Sequence, residues 1–243
     1  MEALAAGFWG FVGGASLLLG ALVGVYAGAS RRLIATVMAL GAGVLISSVA
    51  FELMEEAYDM GGFDSSSLGL LLGAAAFFLA DREVNRRGGG RRKNPGNKQG
   101  VSGTAIAIGA LLDGIPESAA IGISLLGGGK ISAALVAAVF LSNIPEGLSS
   151  AAGMKSSGRS TAHIFALWGG VTLVSALAAL LGYFFLDGAS QDVVALIQSF
   201  AAGAILTMLA STMMPEAYDE GGQLVGLVTV VGFLLSFILS HLE

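Results

Sequence analysis

The sequence predicts an all-α integral membrane protein with eight transmembrane helices, and three observations carry that expectation. Of 243 residues, 55% are hydrophobic and only 12% charged, whereas an average soluble domain carries about 25% charged residues. Mean hydropathy is +0.81. The chain divides into eight apolar stretches, approximately 5–27, 33–54, 66–81, 102–127, 131–154, 161–186, 191–214 and 222–241, most of them near the 20 or so residues a helix needs to cross a bilayer. Finally, the 21-residue segment 42–62 recurs as 202–222.

The stretches leave no room for a separate soluble domain, so residues 1–243 read as one transmembrane domain. The 37 glycines suit helices that approach closely through small side chains. There is no cysteine, which excludes disulfides and leaves the redox compartment open. Glu2 and no basic residue precede the first stretch; the basic n-region of a cleaved signal peptide is missing, and the first span is expected to remain in the mature protein.

The third stretch, 66–81, is the shortest. After it, the segment from Asp81 to Gly100 holds seven basic residues, five glycines and Pro95, so 82–100 reads as a flexible loop. With eight spans, the loops on one face hold Arg31, Arg32, these seven, Lys155 and Arg159, and the other face holds only Lys130. The positive-inside rule assigns the basic face to the cytoplasm and both termini to the outside. The charge run reads as a topology-setting loop in a plasma (inner) membrane, and no nucleic-acid partner is expected.

The repeat aligns AGVLISSVAFELMEEAYDMGG with AGAILTMLASTMMPEAYDEGG at an offset of 160, with ten identities. The first copy lies in the second span and the second in the seventh, so their directions are opposed and the repeat is inverted. Inverted repeats build transporters, because copies related by an axis in the membrane plane give similar basins open to each side. A substrate site is expected between them, on the fourth and fifth spans.

Those spans each carry Ile-Pro-Glu, as Asp113-Gly114-Ile115-Pro116-Glu117-Ser118 and Ser142-Asn143-Ile144-Pro145-Glu146-Gly147. A carboxylate at the centre of a membrane helix costs about 2.5–3.5 kcal/mol even on the lenient insertion scale. Residues four apart share a helix face, so Asp113 can point with Glu117, and Ser142 with Glu146, with Asn143 one step round. Pro116 and Pro145, read as helix breakers, cannot donate to the carbonyls of Leu112 and Leu141, and unwound backbone at this depth can ligate a cation. No Lys or Arg lies inside a span except near an end. Asp113, Glu117, Glu146 and Glu52 therefore need a proton, water or a bound cation. Glu56 and Glu216, at span ends, read equally well as solvated acids.

These residues resemble the ZIP (Zrt/Irt-like protein) divalent-metal transporters. In that family the fourth span carries His-Asn-x-Pro-Glu-Gly, the fifth x-x-Ile-Pro-[Glu/His], and the second commonly ends Glu-Leu-x-Pro-Glu-Ala. Here the last appears as Glu52-Leu53-Met54-Glu55-Glu56-Ala57, and Met213-Met214-Pro215-Glu216-Ala217 extends the likeness to the seventh span. The resemblance implies a 3+2+3 arrangement, with the inverted repeat formed by spans 1–3 and 6–8 around spans 4 and 5. It also implies a homodimer and a metal held by Asp113, Glu117, Glu146, Asn143 and Ser142. Asp113 and Gly114 stand where the family has His-Asn, and Ser142 where His or Gln is frequent. A sixth-span Glu-Pro corresponds to Ser175-Ala176 and a seventh-span His-Glu to Ser211-Thr212. One good metal position is expected rather than two. Ser175, Ser211, Thr212 and Glu52 are candidates for the transport pathway.

Imidazole suits zinc, iron and nickel, whereas carboxylate and carbonyl suit magnesium, calcium and manganese. The transported ion is thus expected to be a divalent cation, zinc, manganese, iron or magnesium, with harder ions favoured. His163 and His241 read as interfacial residues. The alternatives are a transport-deficient metal sensor or scaffold and a proton-coupled organic-cation transporter, although no aromatic residue flanks the motifs to cage such a ligand. An intramembrane hydrolase lacks Gly-x-Gly-Asp, His-Glu-x-x-His or a Ser/Lys nucleophile arrangement, so the chain does not read as an enzyme.

Overall fold

The computed structural model of the chain describes residues 1–28, 30–86, 103–126 and 131–242, with side chains from residue 108 onward in the third segment. The described residues are helical and contain no strand. In chain order the helices are α1 (Glu2–Tyr26), α2 (Arg31–Ser48), a π turn (Val49–Met54), α3 (Glu55–Val84), α4 (Gly103–Ile123), α5 (Ala133–Ser156), α6 (Thr161–Leu186), α7 (Gln191–Met208), a second π turn (Leu209–Met213), α8 (Met214–Gly221) and α9 (Leu224–Ser240).

Serines set three of the starts. The side chains of Ser30, Ser132 and Ser160 accept from the N–H groups of Leu33, Leu135 and His163, satisfying donors that the first turns of α2, α5 and α6 leave open. Gly62 (φ 64°, ψ −166°) interrupts α3, and Gly222 (φ 65°, ψ −150°) ends α8. Those dihedrals are essentially reserved for glycine, so the chain turns at two positions that are equivalent in the repeat. The π turns, at 49–54 and 209–213, are equivalent as well.

Helix pairing follows the same relation. α1 packs on α5 and α6, α2 on α9 and α5, α3 on α7, and α4 on α6 and α7. Exchanging α1 with α6, α2 with α7, α3 with α9 and α4 with α5 maps this set of pairings onto itself. Small residues make the approach possible: a Cβ on Gly43 would lie 1.9 Å from the Thr229 carbonyl oxygen, and one on its repeat equivalent Gly203 would lie 2.0 Å from that of Leu70.

Among the described residues, five helical segments are long and apolar enough to cross a membrane: Glu2–Tyr26, Arg31–Val84, Ala133–Ser156, Thr161–Leu186 and Gln191–Gly221. Only 33% of the apolar window in α6 is buried, and Leu71, Leu79, Phe184, Phe185, Leu227 and Val230 are exposed. Apolar surface on this scale suits a bilayer, where lipid is the solvent. The main core gathers α2, the first π turn, α5 and α7 around Leu45, Leu53, Leu135, Ile205 and Met208. A second forms around Trp168 between α1, α5 and α6.

Four sequence expectations are corrected. Helix does not stop at residue 54 or 214 but continues to Gly61 and Gly221, because the polar Tyr-Asp tails remain helical until a positive-φ glycine ends each. The third stretch is longer than 66–81 and is helical over 63–84, where Ser66 Oγ donates back to the Gly62 carbonyl at 2.7 Å and so is satisfied within its own helix. Residues 82–86 are helical rather than part of a flexible loop; Asn85 Nδ2 donates to Asp81 Oδ2 at 2.8 Å, and Arg86 lies 3.7 Å from Glu83. Residues 87–100, the rest of the expected loop, lie outside the described residues. Lastly, α4 and α5 run on through Pro116 and Pro145 without unwinding. A proline removes one donor, and the surrounding helical bonds hold each helix together across that gap.

Candidate metal centre

α4 and α5 bring the Ile-Pro-Glu acids into the protein interior. Asp113 is 2% exposed, Glu117 1% and Glu146 5%. Carboxylates excluded from water to this degree need a proton, hydrogen-bond donors or a counter-charge. Ser142, Asn143, Ser175 and Thr212 are also buried. A Cβ at Gly114 would lie 3.5 Å from Ser175 Oγ, which sets the α4 motif against the Ser175 face of α6.

The weaker ligands are turned towards backbone. Ser142 Oγ donates to the Val139 carbonyl of its own helix at 3.0 Å. Asn143 Nδ2 donates across to Gly13 O of α1 at 3.2 Å, and Thr172 Oγ1 of α6 donates to the adjacent Gly14 O at 2.9 Å. The Gly13-Gly14 carbonyls thus tie α1 to both α5 and α6. Among the described residues, no group of three or more His, Cys, Asp or Glu side chains converges to hold a metal ion. Asp113, Glu117 and Glu146 are each buried but form no such group, and Asn143 ties α5 to α1 while Ser142 bonds within α5.

Of the pathway candidates, Ser175 lies on α6 and the other three lie in the two π turns. Glu52 and Thr212 are equivalent under the 160-residue offset, one in each turn. Glu52 Oε2 accepts from Ser132 Oγ at 2.8 Å. Thr212 Oγ1 and Ser211 Oγ donate to the carbonyls of Met208 and Thr207, each at 2.7 Å; Ser211 is exposed. Thr212 and Ser211 therefore satisfy their own helix, whereas Glu52 reaches another. His163 and His241 are exposed.

Sequence reasoning missed Gln198. It lies on α7, 1% exposed, and its Nε2 is 3.2 Å from Glu52 O, 3.4 Å from Leu53 O and 2.7 Å from Glu56 Oε2. The available signal was an amide inside the apolar stretch 191–214, which needs a partner as a buried acid does. Ser132 lies at the start of the expected stretch 131–154, where a serine is a ready N-cap.

Comparison of the sequence with protein-family models and with curated proteins gives no match.

Proposed function

We propose that the chain is a ZIP-like transporter that moves a divalent metal cation across the plasma (inner) membrane towards the cytoplasm. In this reading eight spans take a 3+2+3 arrangement, with the second and seventh spans inverted relative to each other. Both termini lie outside, loop 82–100 is cytoplasmic, and two copies associate as a homodimer. Asp113, Glu117 and Glu146 are the direct ligands. Ser142 and Asn143 join when a cation draws them from Val139 and Gly13, and Glu52 relays the ion towards the site.

The observation that carries this reading is the burial of Asp113, Glu117 and Glu146, all 5% exposed or less, on the two helices that the repeat relation exchanges. A divalent cation offsets the desolvation of two carboxylates together, which a single proton cannot do. An oxygen-only donor set favours manganese or magnesium over zinc relative to a histidine-bearing site.

A second reading, a metal-binding relative that does not transport, draws support from Ser142 and Asn143 being committed to backbone carbonyls. Uptake of manganese and zinc into proteoliposomes separates the two. The transporter reading expects wild-type flux to fall at least about tenfold in Glu117→Gln and in Glu146→Gln, the scale set by losing a charged ligand. Flux equal to wild type in both variants overturns it, and absence of flux in wild type together with metal binding selects the second reading.

A further inference from the structure

Two consecutive arginines begin α2, and the fold puts them to different uses. Arg31 Nη1 lies 3.2 Å from Glu220 Oε1 and ties the start of α2 to the end of α8. Arg32 makes no ion pair among the described residues. It is exposed, and with Thr36, Gly221, Leu224, Val225 and Val228 it lines a cavity of about 120 Å³ between the first turns of α2 and α9. That is several times the room a single water needs. Thr36 Oγ1 already donates to the Arg32 carbonyl at 2.8 Å, so the guanidinium is the charged donor of the cavity, and leucine and valine supply its apolar wall. Beyond the cavity, Leu224, Val231, Leu235 and Ile238 form an exposed apolar flank along α9. A cation thus stands at one end of a stripe that faces lipid.

We propose that this cavity binds the phosphate of a phospholipid, with Arg32 as its cationic partner and the acyl chains lying along the exposed flank of α9. A guanidinium offers phosphate oxygens two parallel N–H donors, and the apolar wall takes up the glycerol and upper chain, which a free ion lacks. The repeat supplies a contrast. Under the 160-residue offset Arg32, Leu224 and Val225 correspond to Asp192, Asp64 and Ser65, so the matching position at the opposite end carries two acids and repels a phosphate. Glu220, next to Gly221 of the cavity wall, is met by Arg31, which limits its repulsion of an anion at Arg32. The start of α2 also lies on the face that the proposed topology puts in the cytoplasm, where the leaflet is anionic. The choice of leaflet rests on that topology, but the site itself does not.

The chain has no cysteine, so Thr36→Cys places a single thiol in the cavity wall and, in a second protein, Leu196→Cys places one at the equivalent position of the acidic end. Labelling by a water-soluble maleimide is timed on the full-length protein in detergent with added dioleoylphosphatidylglycerol, with dioleoylglycerol, which has the same chains and no phosphate, and with inorganic phosphate. Phosphatidylglycerol is expected to slow residue 36 about fivefold once its concentration is about four times Kd, and to leave residue 196 unchanged. Dioleoylglycerol and inorganic phosphate are each expected to leave both rates unchanged. Arg32→Gln is expected to raise the lipid concentration for half-protection at least about tenfold, the scale of losing a hydrogen bond between charged groups. Arg159→Gln, at another exposed cation, is expected to leave it at the wild-type value. Leu224→Asp puts an acid at the mouth, as Asp64 stands in the other copy; it is expected to act like Arg32→Gln and decides the matter if that variant does not fold. Protection that survives in these variants, or that is equally strong at residue 196, overturns the proposal. Protection by inorganic phosphate alone marks an adventitious ion only, protection by dioleoylglycerol marks an apolar crevice that does not read phosphate, and either result overturns it as well.

Discussion

Ser132 Oγ donates to Glu52 Oε2 over 2.8 Å and at the same time accepts from Leu135 N–H over 3.0 Å. One hydroxyl therefore starts α5, the helix that carries Glu146, and holds the acid of the first π turn. The contact joins a helix of the main repeat to one of the two helices between the copies, and it uses both the donor and the acceptor capacity of a serine.

Replacing Ser132 by Ala removes the cap and leaves Glu52 without this donor. The expected loss is about 1–3 kcal/mol, combining a cap with a hydrogen bond to a carboxylate, read as a lower thermal unfolding midpoint in detergent. Ser132→Thr keeps the hydroxyl and is expected to stay near wild type. An Ala variant as stable as the Thr variant would show that the hydroxyl contributes nothing.

Gly62 and Gly222 support a second test. Both adopt positive φ with an extended ψ, a region that costs a residue with a side chain about 1–3 kcal/mol. Gly62→Ala and Gly222→Ala should each destabilise by that amount. Gly169→Ala serves as the control, because a Cβ there meets nothing within 4 Å and its φ is not positive. Equal midpoints for all three variants would mean that the turns tolerate a side chain. Because a Cβ at residue 62 or 222 also meets nothing within 4 Å, any loss there reports on backbone conformation and not on crowding.

These turns also indicate how far the sequence could be read. The identities at Gly61-Gly62 and Gly221-Gly222 mark the repeat, and the structure puts a positive-φ glycine at the same place in each copy, so that part of the fold was visible in the letters. The helix ends were not. Tyr58-Asp59 and Tyr218-Asp219 lie beyond the apolar stretches 33–54 and 191–214, yet they continue helices, because a polar residue at the rim of an apolar bundle loses nothing by remaining helical. Pro116 and Pro145 suggested unwinding, but a proline inside a packed helix removes a single hydrogen bond, and its neighbours keep the backbone regular. The burial of Asp113, Glu117 and Glu146 followed directly from their apolar surroundings. Whether they meet depends on the packing of α4 and α5, which spacing within each helix does not encode. Gln198 was passed over because an uncharged amide is a weaker signal than an acid, although the same desolvation argument applies to it.

The proposed metal donors give the last prediction. Asp113 is 2% exposed on α4, one turn before Glu117, and it occupies the position where histidine stands in the family that the motif resembles. A carboxylate presents hard oxygen to a cation, whereas imidazole presents a nitrogen that zinc binds more favourably than manganese or magnesium does. Asp113→His is therefore expected to move selectivity towards zinc, by about tenfold in the ratio of zinc to manganese that half-inhibits uptake, a scale typical of changing one ligand or its support. The variant also removes one buried negative charge, which by itself would weaken every divalent ion alike. The ratio isolates donor chemistry from that general loss. Asp113→Asn supplies the control, since it removes the charge without adding a nitrogen ligand and should lower uptake of both metals with no change in the ratio. A ratio that stays at the wild-type value in Asp113→His while Glu117→Gln abolishes uptake would remove Asp113 from the ligand set and leave Glu117 and Glu146 as its core.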